Sequence, residues 1–307
     1  VVNSNFTSSV ARDNGGAIAG LSSDNGNITN CTFTYNVVGG HIDPQGNIYG
    51  EGGAIYWENS KNLTMYNNSF ETNAARLSGG SISANNVSDS VIDKMRTHDE
   101  TAFTDGGSIA WINSDNVTIK NGFFNDSGSN YKGGTLYFEN VNATVKDTII
   151  NSTWASWGKG GAIYIAGDSA NIFDSTFNEA QAEYGGAIYI GGYRTGRDAK
   201  VLNCKITSAT SDADGGAIYV AGNNALISAD IKDTHALGLN AGNGSGGAIY
   251  VGGDFSNITS SPSAASFTGI SDIPFNRSAK VAVNPTGICC TITIGALMFF
   301  GILGITA

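Results

Sequence analysis

Proline, sulfur and charge are all scarce in this chain. Its 307 residues include 4 prolines, 4 cysteines and 3 methionines, and only 14% are charged. Lys and Arg total 16 against 26 Asp and Glu, a net charge of −10. A chain so poor in cations has no footprint for a polyanion, so nucleic-acid binding is not expected. Gly-x-Ser-x-Gly, His-Glu-x-x-His, a phosphate-cradling loop and the Ca²⁺-binding Gly-Gly-x-Gly-x-Asp repeat are all missing, and no cofactor or metal is expected. The strand-length apolar runs lack helical periodicity, which leaves β structure.

What the chain has in excess is glycine, 42 residues, and much of it is ordered by a repeat. Gly-Gly followed by a small and an aliphatic residue begins at Gly15, Gly52, Gly79, Gly106, Gly133, Gly160, Gly185, Gly215 and Gly246. From Gly52 to Gly160 the spacing is 27 four times running, then 25, 30 and 31. The first interval, 37, holds a ten-residue insertion from Val38 to Asn47. A fixed period with length changes confined to polar segments marks a solenoid. Twenty-seven residues at ~3.3 Å each suffice for two or three short strands with turns, one coil of a parallel β-helix.

Stacked coils require the same column to be apolar throughout. Ile18, Ile55, Ile82, Ile109, Leu136, Ile163, Ile188, Ile218 and Ile249 meet that demand and are placed inward. A second column holds Phe6, Phe33, Phe70, Phe124, Phe177 and Ile206 and lapses at Thr97, so the coil from Ser81 to Asp105 is expected to be irregular. The glycines suit tight corners. Cys31 and Cys204 each lie two residues before this column, six coils or about 29 Å apart, far beyond the ~7 Å a disulfide spans. Both are predicted to be buried free thiols in a slot shared with Gly122 and Ser175. Cys289 and Cys290 are adjacent and do not bridge to each other easily; lipidation there has only position in its favour.

The repeats resemble those of the polymorphic membrane protein family, GGA[I/L/V] and FxxN. The first stands here as GGAI at Gly15, Gly52, Gly160, Gly185, Gly215 and Gly246, as GGSI at Gly79 and Gly106, and as GGTL at Gly133. The second is Phe33-Thr34-Tyr35-Asn36 and Phe70-Glu71-Thr72-Asn73. The resemblance covers Phe6 to about Gly253, and similar repeats occur in adhesin-like surface proteins of methanogenic archaea and some protists. It implies an all-β, right-handed parallel β-helix of about nine coils, displayed at a cell surface and often adhesive. Residues 254–307 are too few for an outer-membrane barrel, so a complete autotransporter is not expected. Abundant Asn-x-Ser/Thr sequons are also unusual for a bacterial passenger domain.

Among those sequons, Asn27, Asn62, Asn116 and Asn142 precede the second strand and would form one ridge, with Asn125 and Asn151 at another corner. They are glycosylation candidates; the alternative is an asparagine ladder bonded from coil to coil. Tyr56, Tyr137, Tyr164, Tyr189, Tyr219 and Tyr250 follow the inward aliphatic column and point outward. Tyr164, Tyr189, Tyr219 and Tyr250 belong to four consecutive coils. They read either as packing that stiffens the sheet or as an aromatic strip for glycan or protein contact.

Enzymes built on this fold need two or three carboxylates at matching positions in adjacent coils. The column before Gly-Gly reads Asn14, Glu51, Ser78, Asp105, Lys132, Lys159, Tyr184, Asp214 and Ser245, with no two carboxylates side by side. Asp212 and Asp214 read as a solvated turn sooner than a cation site. His41, His98 and His235 share no column. No catalytic residues are assigned. The expected role is a non-enzymatic extracellular surface protein, adhesive or structural. A filament subunit assembled end to end and a carbohydrate-active lyase or hydrolase are the alternatives. Partners would be glycans or proteins of a host or neighbouring cell.

The two ends differ from the repeats. Val1–Phe6 carries no signal peptide and begins in mid-coil, which calls for upstream residues or a neighbouring subunit's half-coil. Residues 1–255 are read as β-helix and 256–287 as cap or linker. Residues 288–307 form an uncharged apolar tail. That tail matches a membrane-spanning helix in length, a cleaved GPI-type signal in pattern, or a self-association element.

Overall fold

The computed structural model describes residues 1–46, 48–191, 197–239 and 244–252, with short strands at Asn257–Ile258, Phe267–Thr268 and Ser271–Asp272. These residues hold β-strands and no helix. Every strand pair is parallel, and each strand of the inner coils lies between its equivalents in the preceding and following coils. The result is a parallel β-solenoid of about nine turns.

The register is the one the repeat dictates. Ile18 pairs with Ile55, Ile55 with Ile82, and so on through Leu136, Ile163 and Ile188 to Ile218 and Ile249. From Ile55 to Ile218 these side chains are fully buried. The phenylalanine column is continuous as well, Phe6 over Phe33 over Phe70, with ring centroids 5.0 and 4.7 Å apart. Thr97 does not make its coil irregular: it pairs with Phe70 and Phe124, is buried, and its hydroxyl lies 3.3 Å from that of Ser108. A threonine keeps the β-branched shape of a strand residue, and the polar partner removes the cost of burying its hydroxyl. Ile150 and Ile231 complete the column at other distances from the next Gly-Gly.

The coils hold two to four strands each: in the coil of Gly52 they are Ile55–Lys61, Thr64–Tyr66, Ser69–Glu71 and Ala74–Ala75, more than the two or three expected, and in the coil of Gly106 they are Ile109–Lys120 and Phe123–Ser129. Glycine makes one corner of each coil. The first glycine of each pair has φ between +61° and +71°, where an L side chain is strained. The second has an ordinary φ, but a Cβ there would collide with the carbonyl oxygen of its counterpart in the next coil, as Gly53 would with Gly80. The other corners turn on single left-handed residues, chiefly Asn, Asp and Ser. Asn30, Asn67, Asn121 and Asn203 occupy one such column, with φ from 53° to 55°. Their short polar side chains tolerate this region and hydrogen-bond locally.

Cys31 and Cys204 are free and buried, and the Cys204 Sγ sits 3.4 Å from the Leu202 carbonyl oxygen. Past residue 255 the strand columns continue. Asn257–Ile258 pairs with Leu226–Ile227, Phe267 with Ile231 and Ser271 with His235, and Ile258 packs against the core. The stretch read as cap or linker therefore contributes strands to the solenoid. Residues 288–307, including Cys289 and Cys290, lie outside the described residues.

Candidate functional site

The outward column beside the aliphatic core is a ladder of tyrosines. Tyr137, Tyr164, Tyr189, Tyr219 and Tyr250 stack with centroids 5.4, 5.3, 4.9 and 4.7 Å apart and interplanar angles of 20° or less. Strand register places one ring per coil, and ring height matches the coil spacing of ~4.8 Å, so each ring rests on the next. The ladder points outward yet is covered. Tyr137, Tyr164 and Tyr189 are only 3%, 5% and 6% exposed, whereas Tyr219 and Tyr250 are half-buried.

The cover comes from the column before Gly-Gly. The Lys132 Nζ lies 5.5 and 5.3 Å from the ring centroids of Tyr137 and Tyr164, and the Lys159 Nζ lies 4.8 Å from that of Tyr189. Each cation is held against the negative ring faces. Tyr184 meets Tyr219 edge-on at 5.5 Å. Burial pushes the phenols of Tyr137, Tyr164, Tyr189 and Tyr219 above the ordinary tyrosine range; at Tyr137 a hydrogen bond donated to Glu139 adds to this.

The ladder is interrupted for two coils, where Ser83 and Ala110 replace tyrosine. Carboxylates gather there from both rims of the sheet. Glu51 accepts a hydrogen bond from Ser83 at 3.1 Å, and burial, with a smaller push from Glu58, raises its carboxyl above the usual range. Burial raises Asp105 to about 6, against the pull of Lys132 and with a push from Glu139. The acids thus couple across the sheet, Glu51 with Glu58 and Asp105 with Glu139. Glu51 and Asp105 precede a Gly-Gly pair and Glu58 and Glu139 follow one, so the column before Gly-Gly holds only one member of each couple.

The sequon ridge is only partly formed. Asn62 and Asn116 share a column at left-handed corners, and their amides donate to Asn25 at 3.0 Å and Asp89 at 2.9 Å in the preceding coil. Asn27 lies in the next strand, paired with Thr64, and Asn142 sits at a register shift opposite Asp115 and Asn116. Asn125 and Asn151 do stack, and Asn178 follows, donating to Asn151 at 2.8 Å. All six are exposed or half-buried. Asn62 and Asn116 are thus rungs of an exposed polar ladder, and their side-chain nitrogens already have partners.

The remaining polar candidates are also engaged. Asp214 is buried and accepts the Ser245 amide at 2.8 Å. His41 stacks on Tyr49 with its Nδ1 3.0 Å from Asp13; His98 lies 3.3 Å from Asp126; His235 falls in another column. No cluster of three metal-ligating side chains occurs among the described residues.

No family model matches this chain, and neither does any curated protein. Among solved structures the chain is similar to the surface protein and adhesin PfbA of Streptococcus pneumoniae, at 13% identity and a TM-score of 0.35. That alignment covers 86% of this chain and 84% of the other.

Proposed function

We propose that this solenoid is a non-enzymatic extracellular surface protein, a stiff shaft with an adhesive or structural role. The carrying observation is how its polar and aromatic side chains are deployed. The tyrosines stack on one another, lysines cover them, and surface asparagines bond from coil to coil. Such continuous ladders favour length and rigidity over a reactive centre. The low charge, the sequons and the resemblance to surface-displayed repeats support the extracellular setting. Partners are then glycans or proteins of an adjoining surface, reached from the outer columns. The apolar tail, residues 288–307, attaches the shaft to a membrane or to further copies.

A second reading, a carbohydrate-active enzyme, is favoured by one observation, the carboxylates of Glu51, Asp105 and Glu139 beside the tyrosine ladder. A glycan array combined with a polysaccharide-turnover screen separates the two. Binding without turnover supports the shaft. Turnover abolished by Asp105→Asn or Glu139→Gln establishes the enzyme instead.

A further inference from the structure

Next to the phenylalanine column, the FxxN motif leads to a buried polar file. Asn36 and Asn73 are fully buried. The Asn36 backbone and side-chain amides both donate to the Asn73 Oδ1 at 2.9 Å, and the Asn73 side chain donates to the Phe33 carbonyl at 3.0 Å. In the next coil the same column position carries not asparagine but Glu100, with 0% exposure. Its Oε1 accepts from the Asn73 Nδ2 at 3.1 Å, and its Oε2 lies 2.7 Å from the Ser81 hydroxyl at the Gly-Gly corner. The following coil places Ser127 there, bonded at 2.7 Å to Ser108.

We propose that Glu100 is a proton-operated clasp joining the coil of Asn73 to the coil of Ser81. In its neutral form the acid accepts from Asn73 at one oxygen and donates its proton to the Ser81 oxygen from the other, so neither carboxyl oxygen is left without a partner. Losing that proton leaves a charge with no cation beside it. The side chains facing it from the preceding coil, the corner and the following coil are Asn73, Ser81 and Ser127, all neutral. The charged neighbour that acts on it is Asp99, of like sign and on the same strand. A buried unpaired carboxylate is costly, and the group holds its proton instead. Burial accordingly pushes the Glu100 carboxyl up to about 8, against the bonds from Ser81 and Asn73.

The direction of the switch follows from linkage. The ordinary glutamate value is 4.5 and the folded value is higher. Between the two, the folded chain holds a proton that the unfolded chain lacks. Stability is therefore fully present below the ordinary value, falls as pH rises through the window, and levels off above about 8. Within the window the folding constant drops by up to about tenfold per pH unit. The shaft is tightest in acid and loosens at one defined junction in mild alkali.

Unfolding of the full chain is to be followed from pH 5 to 9 for the wild type and for Glu100→Gln. Glutamine reproduces both bonds, its oxygen accepting from Asn73 and its amide donating to Ser81, without a titrating proton. The ratio of the two folding constants should shift against the wild type by tenfold or more between pH 6 and 9. Parallel pH curves would overturn the proposal. Infrared difference spectra, wild type minus Glu100→Gln, supply a second readout that removes the signals of Glu51 and Asp105. A buried protonated-carboxyl band should be present in the difference at neutral pH and vanish above about 8; a difference spectrum without it at neutral pH also overturns the clasp. Hydrogen exchange then locates the opening, which should begin in residues 73–81 and 97–102 and not at the chain ends.

Discussion

At the scale of single residues, the two glycines of each pair do different work, and substitution separates them from ordinary loop glycines. Gly80→Ala places a methyl against the backbone of Gly107 and Thr101, neither of which can yield without parting two coils. Its destabilisation, measured by denaturant unfolding, should far exceed the ~1 kcal/mol of an average substitution. Gly39→Ala meets nothing within 4 Å and should stay within ~0.5 kcal/mol. Asn73→Ala leaves the buried donors of Asn36 without their acceptor and removes a donor from Glu100, a loss of ~1–3 kcal/mol. Burial pushes the Cys204 thiol up to about 12, so thiol reagents should label it only as fast as the chain unfolds. Rapid labelling of the folded protein would show that the slot is open.

At the scale of elements, the stacked columns make each strand depend on its neighbours above and below. Ile163 lies between Leu136 and Ile188 with no solvent on either side, so Ile163→Asp buries a charge with nowhere to turn and should abolish folding, seen as loss of the β-sheet circular dichroism signal. The tyrosine ladder makes a separate spectroscopic demand. Its phenols are raised above the usual range chiefly by burial, and the ladder should stay un-ionised where free tyrosine titrates. An ultraviolet pH titration should show these tyrosines ionising late, together with unfolding. Early, complete ionisation would mean that the rings are open to solvent and available as a contact strip.

For the whole molecule, a solenoid whose coils touch only their neighbours should tolerate the loss of one complete coil. Deleting residues 106–132 joins one Gly-Gly unit to the next in unchanged register and should leave a folded protein, shorter by ~4.8 Å in solution scattering. Deleting part of that coil puts inward side chains outside and should not fold. Removing residues 288–307 tests the tail. Release of a soluble monomer supports a membrane anchor, loss of oligomers supports assembly, and no change in either removes both roles.

The sequence alone determined the repeat length, the inward aliphatic column and the parallel stacking. These depend on a period, and a period is visible in one dimension. It also located the tyrosines, because each follows Gly-Gly at a fixed distance, while the FxxN asparagines stood out only through the motif that the repeats resemble. Sequence could not reveal the left-handed corners, since Asn, Asp, Ser and even Lys94 serve there and no residue type marks the position. It misjudged Thr97, whose hydroxyl finds Ser108 eleven residues away across the solenoid interior. Only the tertiary structure covered the outward tyrosines with Lys132 and Lys159 and brought Asp105 towards Glu139. Only there did Glu100 close on Ser81, nineteen residues earlier. Those contacts join different walls of the coil, and the distance between walls is set by how the corners turn, not by the spacing of residues along the chain.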